Sequence, residues 1–84
     1  MYNVIINKKV YKEISDIPDL YAKKIIKAIY GLEYNPRPNG SRKLSGFKDL
    51  YRIRISIYRV IYRIENDKLI VEVIKVDHRS SVYQ

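Results

Sequence analysis

The fifteen residues from Leu50 to Ile64, LYRIRISIYRVIYRI, constrain this chain more than any other stretch. In an extended chain successive side chains point to opposite faces. Tyr51, Ile53 and Ile55 therefore share one face, with Arg52 and Arg54 on the other. In the second half Tyr58, Val60, Tyr62 and Ile64 share a face, with Arg59 and Arg63 opposite. Paired as a hairpin, the two runs gather four guanidiniums on one side of a sheet whose other side is apolar. A planar, permanently charged guanidinium matches phosphate oxygens, so this face is the first candidate for function.

The distribution of charge points the same way. The chain carries a net charge of +8. Between Arg37 and Arg63 stand eight basic residues (Arg37, Arg42, Lys43, Lys48, Arg52, Arg54, Arg59 and Arg63) against one acid, Asp49. That stretch alone holds +7 of the +8. A concentrated positive field favours a polyanionic partner, nucleic acid first. A solvated face that only keeps the protein soluble is the plainer alternative, but strand-alternating arginine with one counter-ion argues against it.

At 84 residues and 46 % hydrophobic content, one globular domain spanning 1–84 is expected. Such a domain can bury roughly 60–65 % of its unfolded surface. There is no cysteine and a single histidine, which excludes disulfide and thiol chemistry and disfavours a histidine metal site. No cofactor or metal is expected. No apolar run approaches the roughly 20 residues of a membrane span, and the N-terminus lacks a signal-peptide core, so the expectation is a cytoplasmic protein with no membrane partner.

The order of elements follows from pattern. Residues 2–7, YNVIIN, read as a first strand, and Asn7 suits a helix N-cap. Val10, Ile14 and Ile17 recur at helical spacing. Pro18 fits the first turn of a second helix, in which Ala22, Ile25, Ile26, Ile29 and Leu32 form an apolar stripe. That helix is expected to end near Tyr34, ahead of the NPRPNG run. Three strands are expected over about 50–55, 58–65 and 69–77, with Asn66-Asp67 as a hairpin turn. Ser56-Ile57 is a poor turn signal, and sequence gives no account of the reversal there. The final run, LIVEVIKVD, is mostly apolar on both faces and reads as an interior strand. The expected fold class is α+β, ordered β-α-α-β-β-β, with a helical hairpin on one face of a four-stranded, mostly antiparallel sheet. Val60, Ile64, Ile25 and Ile29 are expected in the shared core.

Read without a family, the chain has no Ser-His-Asp or Cys-His set, no paired carboxylates, no glycine-rich phosphate loop and no metal-ligand spacing. It has arginine, tyrosine and one histidine. Arginines can hold a phosphate and stabilise the added charge of its transition state. RNA supplies its own nucleophile, the 2′-hydroxyl, so a ribonuclease needs no catalytic serine or cysteine. By itself the arginine cluster supports binding as readily as catalysis. Tyr51, Tyr58 and Tyr62 face the apolar side and read as core.

The residues NPRP, KLSG, LYRIRI, YRVIYRI and HRSSVY, in that order and spacing, resemble the RelE/ParE superfamily of type II toxins over essentially the whole chain. Within it the chain is more similar to the RelE branch, ribosome-dependent mRNA interferases. The resemblance implies a metal-independent endoribonuclease that binds the ribosomal A site and cuts the mRNA there by 2′-hydroxyl attack, inhibiting translation. It implies catalytic roles for Arg52, Arg54, Arg59, Arg79 and Tyr83: Arg59 and Arg79 would hold the phosphate, Arg52 and Arg54 would polarise it, and Tyr83 would stack on a base or help move the proton. Arg42, Lys43, Lys48, Arg63 and His78 complete the candidate RNA-contacting set. The implied partners are a cognate antitoxin protein, the ribosome and mRNA. The alternatives are a ParE-like toxin that inhibits DNA gyrase without nuclease activity, or an inert homologue that only binds antitoxin or RNA.

Overall fold

The computed structural model describes residues 1–78. The elements run β1 (Asn3–Ile6), α1 (Lys8–Ser15), α2 (Asp19–Gly31), β2 (Arg42–Lys43), β3 (Leu50–Ile55), β4 (Tyr58–Glu65) and β5 (Ile70–His78). The strands form one sheet in the order β1-β5-β4-β3-β2. Among the described residues only the β1–β5 pair is parallel; the other three pairs are antiparallel. The α+β class and the helical hairpin on one face are as expected, and β5 is an interior strand. The sheet has five strands rather than four, because the two-residue β2 adds an edge beside β3.

Each helix forms for a local reason and docks through one stripe. The Asn7 Oδ1 accepts from the Lys9 N–H at 3.2 Å, capping α1, which buries Val10 and Ile14 one turn apart. Pro18 is the N-cap of α2 and lies one position earlier than expected. That helix buries Ile25 and Ile29 and ends at Gly31, short of Tyr34, with the chain continuing as tight turns in which the Asn35 N–H returns to the Gly31 carbonyl at 3.2 Å. The stripes meet Ile53, Tyr58, Val60, Tyr62, Ile64, Val71, Val73 and Val76 of the sheet in one core. Val60, Ile25 and Ile29 are fully buried and Ile64 almost so, each contributing about 1.5–3 kcal/mol of transfer free energy.

Tyr62 is the largest side chain sealed in that core. Its hydroxyl donates to the Pro36 carbonyl at 2.8 Å, pinning the turn after α2 over the end of the sheet. Burial pushes its phenol up to about 12, with a smaller opposing effect of Ser41. The neutral phenol is therefore the form that the fold requires.

The two hairpins turn differently. Ser56 carries a φ of +56° while Ile57 is not left-handed, the sign pattern of a two-residue type II′ connection. The β4–β5 connection is a four-residue loop, longer than the Asn66-Asp67 turn expected, and it closes through Leu69 at φ +54°. Opposite Ile61 and Tyr62, β5 carries one extra residue, Ile74, which is a β-bulge.

Candidate nucleic-acid interface

Register decides which side chains share the face of the sheet that the helices leave open. Tyr51 lies opposite Tyr62, Ile53 opposite Val60 and Ile55 opposite Tyr58, all on the core side. Arg54 lies directly opposite Arg59, Arg52 opposite Ile61 and Leu50 opposite Arg63, all on the open side. The neighbouring strand β2 places Arg42 opposite Arg52 and so adds a fifth arginine to that side. Two directly facing like-charged pairs, Arg42–Arg52 and Arg54–Arg59, work against the sheet by roughly 0.2–1 kcal/mol each. Ile61, on the same side, is nonetheless largely buried, flanked in register by Arg52 and Lys75, residues with long aliphatic stems.

The bulge sets the far side of this face. Because Ile74 is extra, Val73 and Val76 both point to the core though they are three apart, and the alternation of β5 resets. Asp77 thereby comes beside Arg59 on the open side. The Arg59 Nε donates to Asp77 Oδ1 at 3.3 Å and its Nη2 to Oδ2 at 3.5 Å, a forked contact in which the two side chains are only 19 % and 15 % exposed. Lys75 Nζ approaches the same carboxylate at 3.6 Å, and Arg63 meets Glu72 at 3.3 Å. The carboxylates that meet arginine thus sit on β5, while among the described residues Arg54 and Arg42 have no acidic partner. The positive field is strongest over β3 and falls toward β5.

The candidate residues separate into three groups. Arg42, Arg52, Arg54, Arg59 and Arg63 are together on the open face. Lys43 lies opposite Tyr51 and His78 opposite Tyr58, which places both on the core side, away from the arginines. The His78 ring meets Tyr58 edge-on at 5.5 Å, and Tyr58 in turn tilts against Tyr21 at 5.7 Å. Lys48 is exposed in the loop between β2 and β3, on no strand. Arg79 and Tyr83 lie outside the described residues.

Three groups that the sequence reading did not single out now have positions. Asp77 is the partner of Arg59. Glu13 on α1 accepts from the Val76 N–H at 2.9 Å, tying α1 to β5 just past the bulge. Arg37 lies over the Tyr51 ring at 5.1 Å and donates to its hydroxyl at 3.4 Å, and this contact holds its guanidinium above the ordinary arginine range. Arg37 belongs to the core-side rim, where Asn66 Oδ1 also accepts from Tyr2 at 2.8 Å. Only the pairing register shows Asp77; an acid two residues before an arginine has no such meaning in sequence. Among the described residues no cluster of three acidic or histidine side chains is placed to hold a metal, and no helix is long and apolar enough to cross a membrane.

The chain matches the family model of the ParE toxin of type II toxin-antitoxin systems over residues 4–83. That match spans nearly the whole chain and includes the tail carrying Arg79 and Tyr83. The chain belongs to the RelE/ParE superfamily of type II toxins. It is 34 % identical over 86 residues to RelE1 of Methanocaldococcus jannaschii, covering 99 % of this chain and 96 % of that one. Among solved structures it is similar to RelE in the archaeal RelE–RelB complex from Pyrococcus horikoshii (TM-score 0.83, 32 % identity, 93 % of this chain and 94 % of the other). It also resembles the isolated RelE toxin of E. coli (TM-score 0.79, 29 % identity, 99 % and 92 %). Within the superfamily the protein is RelE-like, and the sheet that carries its arginines is the sheet those structures share.

Proposed function

We propose that this toxin is a ribosome-dependent endoribonuclease that cuts mRNA in the A site and so stops translation. One observation carries the reading: arginines face each other directly across β3 and β4, and across β2 and β3, an arrangement costly to the fold and suited to a phosphate. A phosphodiester seated between Arg54 and Arg59 receives charge-assisted hydrogen bonds from both strands. The 2′-hydroxyl of the preceding nucleotide attacks phosphorus, forming the O2′–P bond as the P–O5′ bond breaks. The products are a 2′,3′-cyclic phosphate and a 5′-hydroxyl. The proton lost from O2′ and the proton gained by O5′ balance, and Tyr83 is the candidate to help move or orient them. Arg52 polarises the phosphate from the same strand as Arg54, and Arg79 is the further cation brought by the tail. Arg42, Arg63 and Lys48 act on flanking phosphates rather than on the scissile one. Lys43 and His78, being on the core side, leave this set.

The proposed partner that silences the toxin is a cognate antitoxin protein, because the RelE chains of Pyrococcus horikoshii and Methanococcus jannaschii that this chain resembles are in complexes with RelB. A toxin acting on translating ribosomes works in the cytoplasm. The second reading, inhibition of DNA gyrase, is favoured by the matched model's ParE description. Primer extension on cellular mRNA after induction separates the two. Cuts within A-site codons support the endonuclease, whereas growth arrest with DNA-damage signalling and intact messages supports the gyrase reading.

A further inference from the structure

Beside the arginine face lies a groove of about 290 Å³ between α2 and the free edge of β3, lined by Ala28, Gly31, Asn35, Asn39, Ile53 and Arg54 among others. Its origin is a broken ladder. Arg42 pairs with Arg52, so the next partner for Arg54 along β2 is Gly40, but there the chain turns away at φ +90°. The Leu50 carbonyl accepts from the Leu44 N–H on the β2 side, and residues two apart in a strand present their backbone groups to the same side. The N–H and C=O of Arg54 therefore face the groove with no strand beside them among the described residues. The walls are aliphatic (Ala28, Ile53, Ile55), and two carboxamides, Asn35 and Asn39, stand on the rim. The Asn35 oxygen is engaged by the Arg37 N–H at 3.1 Å, which leaves its amino group to face a ligand.

We propose that this groove takes a nucleobase of the RNA strand whose phosphate is held by the Arg54 and Arg59 side chains, and that Asn39 sets the preference among bases. The inference rests on the endonuclease reading and adds a determinant of where the RNA is cut. The groove's size fits a single planar heterocycle, at the low end of small-molecule pockets. Aliphatic walls cover its faces. An adjacent donor and acceptor on the Arg54 backbone, together with the carboxamides, match the polar edge of a base, and a well-placed bidentate carboxamide discriminates bases by about 1–3 kcal/mol. Arg54 links the two sites, with its side chain on the open face and its main chain in the groove. A peptide strand fits less well, because strand addition needs a row of free backbone groups and here one residue presents them.

Gly31 makes the proposal testable without damaging the fold. A Cβ built there meets nothing within 4 Å, its φ is not left-handed, and it is the last residue of α2. Gly31→Leu therefore fills the groove while improving helix propensity. The measurement is binding of the purified toxin to RNA tetramers of A, C, G or U and to an abasic tetramer, together with mapping of cut sites on a messenger engaged in programmed ribosomes. Wild type is expected to favour one base over the abasic chain by roughly tenfold, the low end of such discrimination. Gly31→Leu and Asn39→Ala are expected to level that preference and broaden the cut sites, with abasic binding unchanged. A wild type indifferent to base, or a Gly31→Leu variant that keeps the preference, overturns the groove's role alone. A Gly31→Leu variant that keeps the preference but escapes its antitoxin shows a peptide occupant and overturns it as well. No binding to any tetramer and no cuts overturn the endonuclease reading, and the groove's role with it.

Discussion

Arg59 differs from its neighbours in having a fixed partner. The forked contact with Asp77 uses its Nε and one Nη2 hydrogen, which leaves the remaining N–H groups of the guanidinium for a ligand on the face it shares with Arg54. Lysine cannot reproduce this geometry, since its ammonium is a point charge without a fork. Arg59→Ala is expected to lower single-turnover cleavage by about 10²–10³ with the fold intact, and Arg59→Lys to recover little of it. Asp77→Asn removes a negative charge from the face but also the group that aims Arg59. RNA binding by that variant should strengthen and its cleavage slow, a split that filter binding and single-turnover kinetics read separately. Tyr62 gives a different residue-scale test, on stability. Its phenol is raised from 10.0 to about 12 in the fold by burial, so its contribution is complete below pH 10 and is lost as pH rises toward 12. The loss amounts to about 2 kcal/mol over that range. Tyr62→Phe cannot ionise, so its urea midpoint should start lower than wild type at pH 8, for want of the Pro36 hydrogen bond, and converge with or pass it near pH 12.

At the scale of elements, the β3–β4 hairpin was legible because its alternation holds without interruption for both runs, and register then followed from keeping Ile53, Val60 and their neighbours on one side. The short β2 was not legible, since two residues cannot show a period of two. The reversal at Ser56-Ile57 was illegible for another reason: it uses serine where glycine would announce a positive φ. Ser56→Gly should stabilise the protein by a few tenths of a kcal/mol, the relief of left-handed strain being partly offset by greater unfolded-state entropy, and Ser56→Val should destabilise it; chemical denaturation measures both. The placement of His78 and Asp77 turned on the bulge at Ile74. An unbroken alternation through β5 would have sent His78 to the arginine side and Asp77 to the core. Nothing in LIVEVIKVDH marks the extra residue, because apolar side chains occupy both parities. Asn7, by contrast, was readable as a cap, and Asn7→Ala should cost about 1 kcal/mol in unfolding free energy.

For the whole molecule, the two faces of one sheet divide the work. The core side is closed by two helices and by the turn that Tyr62 holds through Pro36, and it supplies stability. The open side carries arginine from three adjacent strands, with the carboxylates that pair with those arginines on β5, and supplies the field. The concentration of charge between Arg37 and Arg63 made that field readable from sequence, but its gradient across the strands required the pairing. If about four phosphates are neutralised, the affinity for single-stranded RNA should fall with salt at a log–log slope of about −3. The role proposed for this face is to break RNA rather than only bind it, and end-group analysis on programmed ribosomes separates the two. Wild-type toxin should cut the A-site codon and leave a 2′,3′-cyclic phosphate and a 5′-hydroxyl, with Arg54→Ala and Arg59→Ala each slowing the single-turnover step by about 10²–10³. An uncut message, or wild-type cleavage rates in both variants, would contradict it.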